Sequence, residues 1–229
     1  FNFKNNFMKL SIIIPCYNEE KTISIMIRRI FSHSKIKNKE IIIVDDGSTD
    51  GTKKILKKIK NKLIKVIYHK KNFGKGKAIQ TALKYITGQI IIIQDADLEY
   101  HPKDYQKLVK PIKENRSLVV YGSRVLSSKS RYNSNSGFYS LFRVLMNHTL
   151  TIFSNILNTQ NLTDAHTCYK VFSVDILKKI SLEHNDFSFC PELTTKISRQ
   201  KIKIIELPIS YKGRNYDEGK KITFFDGII

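Results

Sequence analysis

Three short runs of β-branched residues, each breaking off into polar or acidic side chains, constrain this chain most: SIIIPCYNE at 11–19, IIIVDD at 41–46 and IIIIQDAD at 90–97. Three or four consecutive Ile and Val residues cannot lie half-exposed. Such strands are covered on both faces, as in a parallel sheet flanked by helices. The stretches between them are longer, lysine-rich and apolar at helical spacing, the alternation of βαβ units. Strands are predicted at Leu10–Ile14, Glu40–Val44, Ile64–Tyr68, Ile90–Gln94 and Leu118–Tyr121. Helices are predicted at Glu19–Phe31, Thr52–Lys60, Lys75–Thr87 and Pro102–Ile112.

The second half is less regular. It predicts a helix over Gly137–Leu157, a strand at Tyr169–Phe172, a short helix from Val174, a helix over Pro191–Arg199 and a strand at Lys203–Leu207, then a polar, glycine-containing loop. At 229 residues the chain has room for one sizeable α/β domain. Residues 9–229 are assigned to it, with 1–8 as an N-terminal extension and Met8 as a candidate natural start.

Each of the three runs delivers its polar residues to the carboxyl end of a strand, the edge at which open α/β sheets bind ligands. Asp95-Ala96-Asp97, followed by Glu99, offers oxygen donors suited to a hard divalent cation, with positions left for diphosphate oxygens. In Asp45-Asp46-Gly47-Ser48-Thr49-Asp50 a carboxylate can accept from a nucleobase N–H or a ribose hydroxyl, and Asp46 is assigned to the base. Ser48, Thr49 and Asp50 also suit the cap of the next helix. Tyr17 and Glu19 add an aromatic face and an acceptor, and Glu19 and Glu20 equally suit a helix's first turn. The NFGKGK segment at 72–77 lacks the spacing of a Walker phosphate loop, so its lysines either approach donor phosphates or lie on the surface.

The formal charge of +20 calls for an anionic partner. No aromatic-and-basic signature of an RNA or DNA module accompanies it, and nucleic acid is not expected. Cys16, Cys168 and Cys190 have no metal-site spacing and fit a reducing, cytoplasmic compartment. Arg143, Asn147 and His148 interrupt the apolar Gly137–Leu157 segment, which makes it an amphipathic helix, either buried or resting on a membrane surface, rather than a membrane span.

The ordered set SIIIPCYNEE, IIIVDDGSTDGT, NFGKGKAI, DADLEYHP, GSR at 122–124, LTDAHTCYKVF at 162–172, FCPELTTKI at 189–197 and PISYKGRNYDEGKKI at 208–222 resembles the family 2 glycosyltransferases. Within them it is similar to the polyprenyl-phosphate (dolichyl-phosphate) mannose and glucose synthases. The resemblance implies the GT-A fold, a mostly parallel central sheet flanked by helices, with residues 9–121 binding the nucleotide sugar and 122–229 the acceptor. It places base and ribose contacts on Pro15, Tyr17, Glu19 and Asp46, with Asp95 beside them. It places Mg²⁺ or Mn²⁺ ligands on Asp95, Asp97 and Glu99, where relatives often carry an amide at the last position. Arg124, Arg131 and Arg214 become contacts to an acceptor phosphate, work suited to arginine's planar fork. Two departures stand at Lys170, where many relatives have arginine, and at Cys168, where they have glycine.

The implied reaction moves a hexose from a GDP- or UDP-linked donor to a lipid phosphate, by direct displacement with inversion, at the cytoplasmic face of a membrane. There the basic surface and the 137–157 helix meet anionic headgroups at on the order of 1 kcal/mol per nearby cation. A hydroxyl acceptor would instead need a carboxylate base, for which Glu192 and Asp164 are the candidates besides Asp97's role at the metal. A non-catalytic anionic-surface or nucleic-acid binder would explain the charge but not the three strand-end motifs.

Overall fold

The computed structural model describes residues 8–127, 138–177 and 179–214, the side chains of 138–143 excepted. Among the described residues seven strands form one sheet: β1 (Leu10–Cys16), β2 (Lys39–Asp45), β3 (Ile64–Tyr68), β4 (Ile90–Ile93), β5 (Val119–Ser123), β6 (Lys170–Ser173) and β7 (Ile205–Pro208). Their order is β3-β2-β1-β4-β6-β5-β7. All neighbours run parallel except β6, which is antiparallel to both β4 and β5. The mostly parallel α/β sheet implied by the sequence is therefore present.

The isoleucine runs are buried as their composition demands: Ile12, Ile13, Ile14, Ile41, Ile42, Ile43 and Ile90 through Ile93 all lie in the core. The helices are α1 (Ile23–His33), α2 (Thr52–Lys57), α3 (Lys75–Leu83), α4 (Tyr105–Lys113), α5 (Phe138–Asn158), α6 (Val174–Leu177) and α7 (Phe189–Arg199). The chain leaves β1 toward β2 and β3 on one side, then returns to place β4 on the other. That reversal falls between β1 and β4, whose carboxyl ends are where such sheets take their ligands.

Several boundaries differ from expectation for identifiable reasons. The first helix starts at Ile23 rather than Glu19. Asn18 turns the backbone into the left-handed region (φ 51), and the N–H groups of Glu19 and Glu20 are taken by Thr52 Oγ1 and Asp50 Oδ2. Glu19 and Glu20 thus do not form a helix's first turn. The third helix stops at Leu83, short of Thr87, because Thr87 turns down to the Glu40 carboxylate through its N–H and its hydroxyl. The last strand runs from Ile205 rather than Lys203. The N-terminal extension, Arg131 and the polar tail beyond 214 lie outside the described residues.

Candidate functional site

The loops after β1 and β2 are stitched together by the small polar residues of the second motif. Asn18 N–H donates to Ser48 Oγ (2.9 Å), and Thr49 N–H donates to Asn18 Oδ1 (2.8 Å). Gly51 N–H donates to Glu20 Oε2 (2.7 Å). Asp50 accepts from Thr52 N–H at the start of α2 and from Glu20 N–H in the loop after β1. Gly47 sits at φ +71 against residues 71 and 72, where a Cβ would come within 2.4 Å of the Lys71 carbonyl carbon. Only glycine allows that approach.

Asp46 is nearly buried at this edge. Its Oδ1 lies 2.6 Å from His69 Nδ1 and accepts from Phe73 N–H (3.0 Å), while Oδ2 accepts from Gly74 N–H (2.8 Å). His69 is held from behind by Thr81 Oγ1 at 2.9 Å. The neighbouring Asp45 gives Oδ1 to Ser48 N–H, and its buried Oδ2 has no hydrogen-bond partner.

β4 delivers the acidic pair. Gln94, fully buried, accepts from the hydroxyls of Tyr105 and Tyr169 (2.6 Å each) and donates to the Asp95 carbonyl (2.8 Å), fixing the backbone from which both aspartates project. Asp95 Oδ1 forms an ion pair with Lys75 Nζ at 2.6 Å. Burial opposes charge on that ammonium, yet Asp95 and the adjoining Cys168 and Cys190 hold its pKa well above the ordinary value. Lys75 Nζ also reaches Cys168 Sγ at 3.5 Å. Asp97 accepts the Glu99 N–H at Oδ1 and faces Arg214 Nη2 at 3.5 Å. Burial, then the charges of Asp95 and Glu99, push the Asp97 carboxyl up to about 8.

The strand end after β5 carries Arg124, which is gripped by Asp164 and stacked 5.3 Å from the Tyr211 ring. Residues 210–214 form a strap over Glu99 and Tyr100. Lys212 N–H donates to the Glu99 carbonyl, and Tyr211 pairs with Tyr100 in an antiparallel bridge. The strap carries Arg214 to Glu19, with both Nη atoms 3.3 Å from its carboxylate. Glu19, Asp95, Asp97, Glu99 and Arg214 are thus brought together. Glu192 is not among them: its carboxylate accepts the N–H groups of Glu183 and His184 and pairs with Lys196, bracing the 183–184 loop.

Neither His69 nor Tyr211 is marked by the sequence pattern, and Lys75, one of the NFGKGK lysines expected near donor phosphates or on the surface, pairs with Asp95 instead. The glycines on either side of Lys75 are needed because the 184–186 loop packs on the start of α3, where a Cβ on Gly76 would meet His184 O at 2.3 Å.

A divalent cation fits the chemistry of this strand end. The available donors are carboxylate oxygens, and their mutual repulsion, expressed at Asp97, is what a hard cation relieves. Lys75 and Arg214 neutralise part of that charge, and among the described residues no three acidic, histidine or cysteine side chains are already gathered into a cage.

The model of the glycosyl transferase family 2 matches residues 11–181 of the chain. A dolichyl-phosphate beta-glucosyltransferase of Trichomonas vaginalis is 29% identical over 93% of this chain and 68% of its own length. A UDP-N-acetylglucosamine–dolichyl-phosphate N-acetylglucosaminyltransferase of Methanococcus voltae is 32% identical over 86% of this chain and 83% of its own. The fold is that of glucosyl-3-phosphoglycerate synthase from Mycobacterium tuberculosis, solved with Mn²⁺, UDP and glucosyl-3-phosphoglycerate. That structure superposes with a TM-score of 0.68 at 20% identity, over 92% of this chain and 74% of its own.

Proposed function

The chain belongs to glycosyl transferase family 2, and from that premise we propose that it transfers a hexose from a nucleoside diphosphate sugar to a polyprenyl phosphate. The observation that carries this reading is the reach of Arg214, a candidate phosphate ligand, to Glu19 (3.3 Å) and Asp97 (3.5 Å), both candidate donor-side residues. Direct displacement requires donor and acceptor to meet at one site, and these contacts set a candidate acceptor-phosphate ligand beside the donor-side carboxylates.

In the proposed reaction Tyr17 and Pro15 flank the nucleoside and Glu19 accepts from it, while Asp46, whose oxygens hold His69 and the Phe73 and Gly74 N–H groups, fixes the wall beside the base. Asp95 and Asp97 would hold Mg²⁺ or Mn²⁺, which when bound supplies charge neutralisation for the departing diphosphate. Arg124 and Arg214 orient the acceptor phosphate. The bond from a phosphate oxygen to the anomeric carbon forms as the bond from that carbon to the diphosphate oxygen breaks, inverting the centre. The phosphate is already an anion, so no base is needed.

That last point supports lipid phosphate over a hydroxyl acceptor. The two candidate bases are both occupied: Asp164 by Arg124, and Glu192 by Lys196 and two backbone N–H groups. The Trichomonas and Methanococcus relatives, named for dolichyl phosphate, support the same choice.

Membrane contact is assigned to α5. Leu145, Ile152, Phe153, Ile156 and Leu157 are exposed along one stripe of it, with Leu157 at 81%. Among the described residues no helix is long and apolar enough to cross a bilayer. A stripe of this kind seats an amphipathic helix in the headgroup layer, and the chain's positive charge favours an anionic leaflet.

The test is transfer of radiolabelled sugar from UDP-glucose, UDP-N-acetylglucosamine and GDP-mannose, with Mn²⁺, to a short polyprenyl phosphate in detergent micelles. Label in the lipid fraction with one donor is the expected result. Label found only in added saccharides would replace the proposal with the hydroxyl-acceptor reading.

A further inference from the structure

Glu99 stands where a third metal ligand was expected, but both of its carboxylate oxygens are committed to the strap. Oε1 accepts the Arg214 N–H at 2.9 Å, and Oε2 accepts the Tyr211 hydroxyl at 3.0 Å. Its carbonyl accepts the Lys212 N–H, so three strap residues hang from one glutamate. A further fastening is equally specific, Ser210 N–H to Asp104 Oδ2 at 2.7 Å.

The side chain that the strap delivers is less settled. Among the described residues the Arg214 guanidinium makes only long contacts, 3.3 Å to each oxygen of Glu19 and 3.5 Å to Asp97, and its buried Nε has no hydrogen-bond partner. Arginine–carboxylate hydrogen bonds are typically about 2.7–2.9 Å and often bidentate, and most buried donors are paired. Asp164 gives Arg124 such bonds here, at 2.7 and 2.8 Å. The contrast marks Arg124 as fixed and Arg214 as parked.

We propose that Glu99 is the anchor of the 210–214 strap rather than a metal ligand, and that Arg214 is a resident counter-cation that leaves Asp97 when a divalent cation arrives. Resting on the donor-site reading above, this gives the site an order. While Arg214 lies against Glu19 and Asp97, part of the negative charge of the strand end is offset without metal. Once the cation takes over that charge, the guanidinium, still tethered through Glu99, turns to the acceptor side with its donors free. Donor loading thereby supplies the acceptor's phosphate clamp, and an empty donor site leaves the clamp occupied.

The exchange fixes the sign of two substitutions. Removing a competitor strengthens binding of the ligand it competes with, here by about tenfold for a coupling of this kind. Arg214→Met and Glu99→Ala should therefore both raise Mn²⁺ affinity over the wild type, measured without nucleotide from the electron paramagnetic resonance signal of free Mn²⁺. A Glu99 that ligates metal would weaken binding when removed, and an Arg214 that stays on Asp97 would leave affinity unchanged. Either result, or the absence of Mn²⁺ binding by all three proteins, overturns the proposal. Parallel calorimetry with UDP and GDP at saturating Mn²⁺ keeps the donor reading separate. Nucleotide binding absent from every protein while Mn²⁺ affinity rises in both variants would defeat the donor assignment and leave the strap proposal standing.

Discussion

Asp164 grips Arg124 at three points: Oδ2 accepts its backbone N–H (3.0 Å) and Nε (2.7 Å), and Oδ1 accepts Nη2 (2.8 Å). The carboxylate is itself placed by Glu206, which accepts the N–H groups of Thr163 and Asp164. Burial pushes the Asp164 carboxyl upward, but the charge and hydrogen bonds of Arg124 outweigh it and hold it below the usual carboxylate range. Removing one partner of so enclosed a pair leaves the other charge stranded, at a cost of about 3 kcal/mol. Asp164→Ala is expected to lose about that much stability in urea denaturation and at least ~100-fold in lipid-phosphate transfer, because Arg124 loses its orientation. A group depressed in the folded state stabilises above its unfolded pKa, about 3.9, and loses that contribution as pH falls further. The variant should therefore show a flatter acid limb than the wild type between pH 5 and 3.

Asp97 titrates in the opposite sense. With its carboxyl pushed up to about 8 by burial and by Asp95 and Glu99, the folded metal-free protein binds a proton that the unfolded chain has released. Stability of that form should fall as pH rises from about 4 to 8. Asp97→Asn removes the repulsion and should raise metal-free stability at pH 8 by about 1 kcal/mol while abolishing Mn²⁺-dependent nucleotide binding. Wild-type Mn²⁺ affinity should increase with pH and level off above about 8, since the cation must displace that proton. Thermal unfolding and Mn²⁺ titrations at pH 6, 7 and 8 check both parts, and a pH-independent affinity would refute the assignment.

What the sequence made legible was local. An isoleucine run must be buried, and the carboxylate that follows it must emerge at the strand's end, so Asp46, Asp95 and Asp97 were placed without any tertiary information. The direction of β6 was not legible, because four residues, Lys170–Ser173, carry no signal that separates parallel from antiparallel pairing. Neither were the charge pairs. Arg214 and Glu19 are 195 positions apart, and nothing in either segment's pattern names the other. Glu192 shows the converse limit: the family resemblance makes it a candidate base, yet the 183–184 loop folds back onto its carboxylate.

At the opposite edge of the sheet Glu40 supplies a stability test that leaves the site untouched. Its carboxylate accepts from Lys9 Nζ (2.7 Å), Ser11 Oγ (2.6 Å), and the Thr87 and Gly88 N–H groups (2.6 and 3.1 Å), tying β1, β2 and the segment before β4 together. Burial opposes ionisation there, but these donors bring its pKa down to about 2. Hydrogen bonds to a charged group are worth about 1.5 to 3 kcal/mol, so Glu40→Ala should lose at least that much. The wild-type advantage should be complete above the unfolded value near 4.3 and disappear as pH falls toward 2. Nucleotide affinity at neutral pH and low temperature should not change, and a loss there would mean that the two ends of the sheet are coupled.

The exposed stripe on α5 tests the membrane assignment. Phe153, Ile156 and Leu157 are 59%, 71% and 81% exposed, so replacing all three with serine removes little packing and should leave thermal unfolding nearly unchanged. If the stripe sits in the headgroup layer, each apolar side chain withdrawn from lipid costs about 1 to 2 kcal/mol, and the triple variant should bind vesicles at least ~100-fold more weakly. Co-sedimentation with vesicles of phosphatidylglycerol and phosphatidylcholine measures this directly. Added salt should weaken the wild type by screening its cations but leave a residual apolar component that the variant lacks. Transfer to a short, detergent-dispersed polyprenyl phosphate should survive the substitutions, while transfer to a vesicle-embedded acceptor should fall. That split follows if α5 serves only to bring the candidate site to the bilayer, and equal losses on both acceptors would place α5 in the acceptor site itself.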